Sequence, residues 1–556
     1  MSGTVAELVG RTLAELGAKQ CFGVVGSGNF AVTNALTAAG VGYTAARHEG
    51  GAATMADAYA RMSGTVALVS VHQGCGLTNA TTGICEAAKS RTPLLVLAAE
   101  NPGQSVHSNF AMDQDGLAES VLAVAERVHT PQTAVADVTR AWRTALNERR
   151  TVVLNLPLDV QAAAAPEGAV IPDLPAAQPV RPSAEAVRQF AQLLAAAERP
   201  VFVAGRGGRG AGPQIAELAA RSGALLATSA VAKGLFNGHD FNLGISGGFS
   251  SPLAAELISG ADLIVGFGCA LNMWTMRHGN LIGADTRVVQ IDLDEPALGA
   301  HRPITLGIQG DSAATAADAL SLLTGTRTGY RTDEVASRIT ESIRWRDVPH
   351  DELGGGNGDS ARIDPRTLTA ALDDLLPTER IVSIDSGNFM GYPSQYLSVP
   401  DEYGFCFTQA FQSIGLGLPT AIGAALAQPD RMPVLGTGDG GFHMAIAELD
   451  TAVRLGLPLV CIVYNDAAYG AEVHHFAPGD AERDPDVDLA GVQFPETDFA
   501  AIGRGFGADG ITVRTSDDLA QVADWLAGDP KRPLVIDAKV ASDGGAWWLA
   551  EAFANH

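Results

Sequence analysis

Short apolar runs alternate with amphipathic stretches from one end of the chain to the other, and this rhythm narrows the fold more than any other feature. Runs such as 21-CFGVV-25, 66-VALVSV-71, 93-PLLVLAA-99, 152-VVLNL-156 and 201-VFVAG-205 are followed by 262-DLIVGFG-268, 287-RVVQIDL-293, 380-RIVSID-385, 433-PVLGTGD-439, 458-PLVCIVYN-465 and 533-PLVIDAKV-540. They are rich in Val, Ile and Leu and do not alternate apolar with polar, which is how strands buried on both faces of a parallel sheet read. Between them lie segments of helical period, for example 4-TVAELVGRTLAELGA-18 and 185-EAVRQFAQLLAAAE-198. The pattern predicts an α/β protein with parallel sheets flanked by helices.

At 556 residues the chain is too long for one ordinary core. Two stretches break the rhythm: residues 162–184, rich in Pro and Ala, and residues 326–364, polar with a glycine run. Such composition marks surface linkers. The expected domains are residues 1–165, 185–325 and 363–548, the middle one Rossmann-like.

The net charge of −25 argues against nucleic acid, because neutralising phosphates takes clustered Lys and Arg. The six cysteines, Cys21, Cys75, Cys85, Cys269, Cys406 and Cys461, show no CxxC spacing. They read as buried thiols of a reducing compartment rather than a disulfide or zinc framework. No basic segment leads into an apolar one at the start, and no apolar run reaches membrane-spanning length. The expectation is a cytoplasmic protein without membrane partners.

Chemistry concentrates in 434-VLGTGDGGFHMAIAELDTAVRLGLPLVCIVYNDAAYG-470. A strand runs into Gly438, Asp439, Gly440 and Gly441. A helix over MAIAELDTAVRL follows, then a strand ending in Asn465 and Asp466. Both polar clusters therefore fall at carboxyl ends of parallel strands, where open α/β sheets bind ligands. Glycines let backbone approach a phosphate. Asp439, with an oxygen ligand from the next strand end, suits Mg²⁺ held against a diphosphate.

This segment resembles the thiamine diphosphate motif, and further marks fall in order over nearly the whole chain. The stretch 22-FGVVGSGN-29 is similar to the family's first strand and turn, and 71-VHQGCGLTNATTG-83 to its glycine-rich loop. The stretch 411-FQSIGLGLPTAIGAA-425 resembles the segment under the cofactor's bend. The motifs are similar to those of acetohydroxyacid synthase, benzoylformate decarboxylase and pyruvate decarboxylase. In 47-RHEGGAATMADAYAR-61, Glu49 opens a helix of small residues. The resemblance makes it the acid that hydrogen-bonds N1′ of the aminopyrimidine and so activates the thiazolium C2. A partly desolvated carboxylate, its pKa raised, suits that task.

The resemblance implies further roles. Asp439, Asp466 and the Ala468 carbonyl would be metal ligands, with Asn465 the alternative to Asp466. Gly387, Asn388, Gly438, Gly440, Gly441 and Tyr469 would line the cofactor, and Ile414 would prop it into its V shape. His72 and Ser27 match polar positions of benzoylformate decarboxylase, and Glu472 a carboxylate of pyruvate decarboxylase. His107 and Met112 lie near other family positions without matching them, and His474 and His475 are open candidates. The implied partners are a 2-oxo acid, with an aldehyde or ketone acceptor as an option, and further copies of the chain in a homodimer or homotetramer with active sites between chains.

After the strand VFVAG, 205-GRGGRG-210 fits GxGxxG, but the next strand, ALLATSAVAKG, ends without the acid a nicotinamide ribose needs. The middle domain is thus expected to be Rossmann-like without NAD. FAD, which acetohydroxyacid synthases hold there, stays open. The leading expectation is a decarboxylase or carboligase acting on 2-oxo acids. Its rivals are a nucleotide-binding oxidoreductase and a thiamine-fold protein that has lost catalysis.

Overall fold

The computed structural model describes residues 3–476, 488–547, 549 and 551. Among these, the strands form three six-stranded sheets, and every pairing is parallel. The first sheet holds β1 (Gln20–Gly23), β2 (Gly42–Ala45), β3 (Ala67–Val71), β4 (Leu94–Glu100), β5 (Val124–Arg127) and β6 (Thr151–Pro157). The second holds β7 (Pro200–Ala204), β8 (Leu225–Thr228), β9 (Asn242–Ile245), β10 (Leu263–Phe267), β11 (Arg287–Asp292) and β12 (Leu306–Gln309). The third holds β13 (Arg380–Ile384), β14 (Phe405–Phe407), β15 (Met432–Gly438), β16 (Val460–Asn465), β17 (Asp509–Val513) and β18 (Leu534–Lys539).

The outer sheets share one topology. Their orders are β2-β1-β3-β4-β6-β5 and β14-β13-β15-β16-β18-β17, which coincide when each is counted from its own first strand. The middle order, β12-β11-β10-β7-β8-β9, is the doubly wound arrangement. In the third sheet the chain reverses direction across the sheet between β13 and β15. Loops leaving a sheet at such a point diverge and leave a crevice.

Helix Glu49–Ser63 of the first domain lies directly against helix Gly417–Ala427 of the third. Ala52, Ala53, Met55 and Ala56 join Leu418, Ala421 and Ile422 in one continuous apolar cluster. The small residues exist for this seam. A Cβ built on Gly423 would overlap the Met55 carbonyl oxygen. Gly423→Val is therefore expected to cost about 2 kcal/mol by overpacking, lowering the melting temperature by about 5 °C. Differential scanning fluorimetry checks this.

Three local expectations need correcting. The 326–364 segment is not all linker: it contains helix Asp333–Ser342, which seats Val335 and Ile339 in the middle domain's core. The helix expected over 444–455 is two, Asp439–Ala445 and Glu448–Arg454. Between them the ladder tightens, with Leu449 N donating to Ile446 O at 3.0 Å and Asp450 N to Ala447 O at 3.3 Å. Cys75 is exposed, at the start of the short helix Cys75–Asn79, whereas the other five thiols are buried. No described helix is long and apolar enough to cross a membrane.

Candidate active site

Four loops leave the third sheet at its carboxyl edge and enclose a cavity of about 320 Å³. After β13 come Ser386, Gly387 and Asn388; after β15, Asp439, Gly440 and Gly441; after β16, Asp466, Ala468, Tyr469 and Glu472; after β18, Val540 to Asp543. Gly438 and Ile414 line it too. The third-domain residues given cofactor or metal roles, and Glu472, thus face one space, whereas Asn465, His474 and His475 do not line it.

The glycines are there because nothing larger fits. A Cβ on Gly440 would overlap the Tyr469 ring, one on Gly441 would lie 2.5 Å from Asp385 Oδ2, and one on Gly387 2.8 Å from Phe389. Asp439 is 4% exposed. Its Oδ1 accepts from Gly440 N at 2.7 Å and its Oδ2 from Ala468 N at 3.1 Å. These bonds tie the β15 loop to the β16 loop.

Carboxylates crowd this floor. Burial pushes Asp439 up to about 6 in spite of its backbone N–H partners. Burial, then the charges of Asp439 and Asp543, pushes Asp466 up to about 8. Among the described residues no Lys or Arg pairs with Asp439 or Asp466. Two hard oxygen donors facing one cavity with uncompensated charge fit a divalent cation of the Mg²⁺ kind. Asn465, the alternative ligand, is committed elsewhere: its amide donates to Asp537 Oδ1 at 2.8 Å and to Thr497 O at 3.2 Å.

Sequence reasoning missed the residues that hold this cavity in shape. Asp385 is fully buried, and burial raises it to about 6. Its Oδ1 accepts from Gly415 N at 2.9 Å, fixing the turn that carries Ile414. That turn is also held by the first domain. Glu86 accepts from Ala410 N at 3.0 Å and from Phe411 N at 2.6 Å. Burial works against the Glu86 charge, but Arg61 at 2.8 Å and those two amides outweigh it and hold the carboxyl below its usual range. Asp543 accepts from Tyr392 Oη and from Asn388 Nδ2 at 3.1 Å, and His474 Nε2 stands 3.5 Å from it. Asp385 follows a strand end, a position that signals function; Glu86 and Asp543 carry no local signal.

The first-domain candidates gather separately, at the carboxyl edge of the first sheet, and do not line the 320 Å³ cavity. Ser27 Oγ lies 3.4 Å from His72 Nε2. His72 Nδ1 lies 2.9 Å from the Gln73 carbonyl. A carbonyl only accepts, so Nδ1 carries a proton, which leaves Nε2 as the ring nitrogen facing Ser27. Glu49 is half-buried and accepts from Asn79 Nδ2 at 3.0 Å. Gly76 stands between the two groups: its Cβ would be 3.1 Å from His72 Cβ and 3.4 Å from Glu49 Oε1. Phe110 packs edge-on against His72, with ring centroids 4.8 Å apart. His107 and Met112 are exposed on the neighbouring loop, and Glu472 and His475 are exposed on helix Gly470–Phe476.

A larger cavity of about 1160 Å³ runs from the middle domain, at Gly205, Gly268 and Asp292, to Ile414 and Glu472 of the third. The GRGGRG loop forms a tight turn beside it, Arg206–Ala211. Arg206 donates to Ser90 O and Arg209 to Arg61 O at 3.2 Å, so both arginines reach back to the first domain.

Comparison with known proteins places this geometry. Residues 3–122 match the thiamine pyrophosphate enzyme N-terminal TPP binding domain, residues 187–320 the central domain, and residues 385–538 the C-terminal TPP binding domain. The chain belongs to the thiamine pyrophosphate enzyme family. Full-length relatives of this enzyme differ in name. It is 28% identical to the sulfoacetaldehyde acetyltransferase of Roseovarius nubinhibens, over 96% of this chain and 91% of that one. It is 30% identical to a probable 2-ketoarginine decarboxylase of Pseudomonas aeruginosa, over 93% and 90%. It is 25% identical to the acetolactate synthase of Mycobacterium leprae, over 100% and 89%.

Proposed function

We propose that this thiamine diphosphate enzyme also requires Mg²⁺ and makes or breaks a carbon–carbon bond beside the carbonyl of a 2-oxo acid. Decarboxylation would yield an aldehyde or, with a carbonyl acceptor, a larger hydroxy ketone or hydroxy acid. The observation that carries the reading is the cavity of the third sheet, where two unpaired carboxylates and closely packed glycines face one space. Relatives named as a decarboxylase, an acetolactate synthase and an acetyltransferase support it.

Asp439 and Asp466, with the Ala468 carbonyl, would hold the metal, and Gly438, Gly440 and Gly441 would leave room for phosphate oxygens near the backbone. Gly387, Asn388 and Tyr469 line the remaining wall, and Ile414 would support the cofactor from below. Thiamine diphosphate, when bound, would supply a nucleophilic carbon and an electron sink for decarboxylation. Glu49 holds a proton at N1′ of the aminopyrimidine. His72 Nε2, with Ser27 Oγ beside it, accepts or returns a proton at the substrate oxygen, and Glu472 serves the mouth of the site. Because Glu49, His72 and Ser27 lie outside the cavity of their own chain, the complete site is formed with a second copy, in a homodimer or homotetramer.

Reconstituting the apoprotein with thiamine diphosphate and Mg²⁺, then screening 2-oxo acids, is expected to give CO₂ release that needs both additions. Turnover indifferent to thiamine diphosphate, or tight retention of NAD instead, would sink the reading.

A further inference from the structure

The segment that presents Glu49 is held by one short helix of the third domain. Glu448 opens that helix and is 2% exposed. Its Oε1 accepts from His48 N at 3.0 Å and from Arg47 N at 3.1 Å, and its Oε2 from Thr451 Oγ1 at 2.7 Å. One turn further on, Asp450 pairs with Arg47 at 2.5 Å, and Arg454 donates to Ala45 O at 2.7 Å. A Cβ on Gly51 would overlap Glu448 Oε1, so the carboxylate lies against the first turn of the Glu49 helix as well.

This grip is more specific than domain adhesion requires. Leu449 and Ala452 of the same helix already join the apolar cluster that binds the two domains. A buried carboxylate is costly unless donors satisfy it. Two of the donors Glu448 uses are main-chain amides immediately before Glu49, not side chains. Anchoring backbone there leaves the Glu49 carboxylate one well-defined origin.

Resting on the role read for Glu49 above, we propose that Glu448 is a positioning residue: by fixing the backbone at Arg47 and His48 it sets where the Glu49 carboxylate meets a bound aminopyrimidine. The same chain segment begins at Asp439, on the floor of this chain's own cavity. One stretch therefore bears on both a cofactor's diphosphate and the acid offered to another.

Two readouts test this on the full chain. Hydrogen exchange of the apoprotein is expected to show residues 45–51 of Glu448→Ala exchanging about tenfold faster than wild type, with other regions unchanged. In the loaded enzyme, kcat of that variant is expected to fall about 100-fold, the loss a displacement of about 1 Å produces, while KM stays near wild type. Glu448→Gln keeps an acceptor for His48 and Arg47 and a donor for Thr451, and is expected to restore both readouts. If Glu448→Ala gives no soluble protein, Glu448→Asp, whose carboxylate stops one methylene short, is expected to show the same changes to a lesser degree. Unchanged exchange at 45–51, a rise in KM with kcat preserved, or a Glu448→Gln enzyme that folds yet is as impaired as Glu448→Ala would overturn the inference. Full turnover by Glu49→Gln would instead overturn the reading beneath it, and that result comes from a different variant.

Discussion

Glu49→Gln is expected to cut turnover about 1000-fold, within the range that loss of a positioned acid–base group produces. The substitution keeps the length of the side chain and an oxygen for the Asn79 amide. What disappears is the carboxylate proposed to share a proton with N1′. Cofactor affinity is expected to change little, because the cavity proposed for the diphosphate lies on the third domain, among Asp439, Gly440 and Asp466. Steady-state kinetics with a responsive 2-oxo acid, set beside a fluorescence titration of thiamine diphosphate, separate the two effects. A variant with full activity would remove Glu49 from the mechanism.

Asp439→Asn is expected to weaken binding far more than it changes the fold. One of the two carboxylates proposed as metal ligands becomes neutral, and affinity for Mg²⁺ and thiamine diphosphate together should drop by up to about 100-fold. The melting temperature of the apoprotein should change little, because the relief of repulsion is offset by the loss of one acceptor for the Gly440 and Ala468 amides. Asp466 is held up to about 8 partly by the Asp439 charge, and the substitution lifts that repulsion. Calorimetric titration and a melt of the metal-free protein measure both. Undiminished cofactor binding would show that Asp439 is not a ligand.

The strands legible in the sequence and those that were not separate along one physical line. The interior strands of all three sheets read as apolar runs because neighbours cover both faces; β3, β7, β10 and β16 are buried at every residue. The strands that escaped notice are the sheet edges: β2, β5, β9, β12, β14 and β17. Most are only partly buried, as in β5, where no residue is fully covered, and β2, where one is. With one neighbour and a wetter face, an edge strand needs no continuous apolar run.

The site divides in the same way. Asp439 and Asp466 announced themselves because strand, glycines and acid are contiguous in the chain. Glu448 and Glu86 did not, because the backbone amides they serve lie some 400 and 325 positions away, and nothing local marks an acid as spoken for. Cys75 was misread for a related reason. A thiol between glycines looks like packing, yet its helix sits at the rim of the first-domain cluster, not beneath it.

The seam where Gly423 meets Met55 has a consequence for how an assembly of these chains would behave. Backbone against backbone leaves no room for sliding, so the outer domains of one subunit form a single lever. One arm would carry the acid for a neighbour and the other the metal floor for itself. Movement at one arm would then be passed to the other without slack.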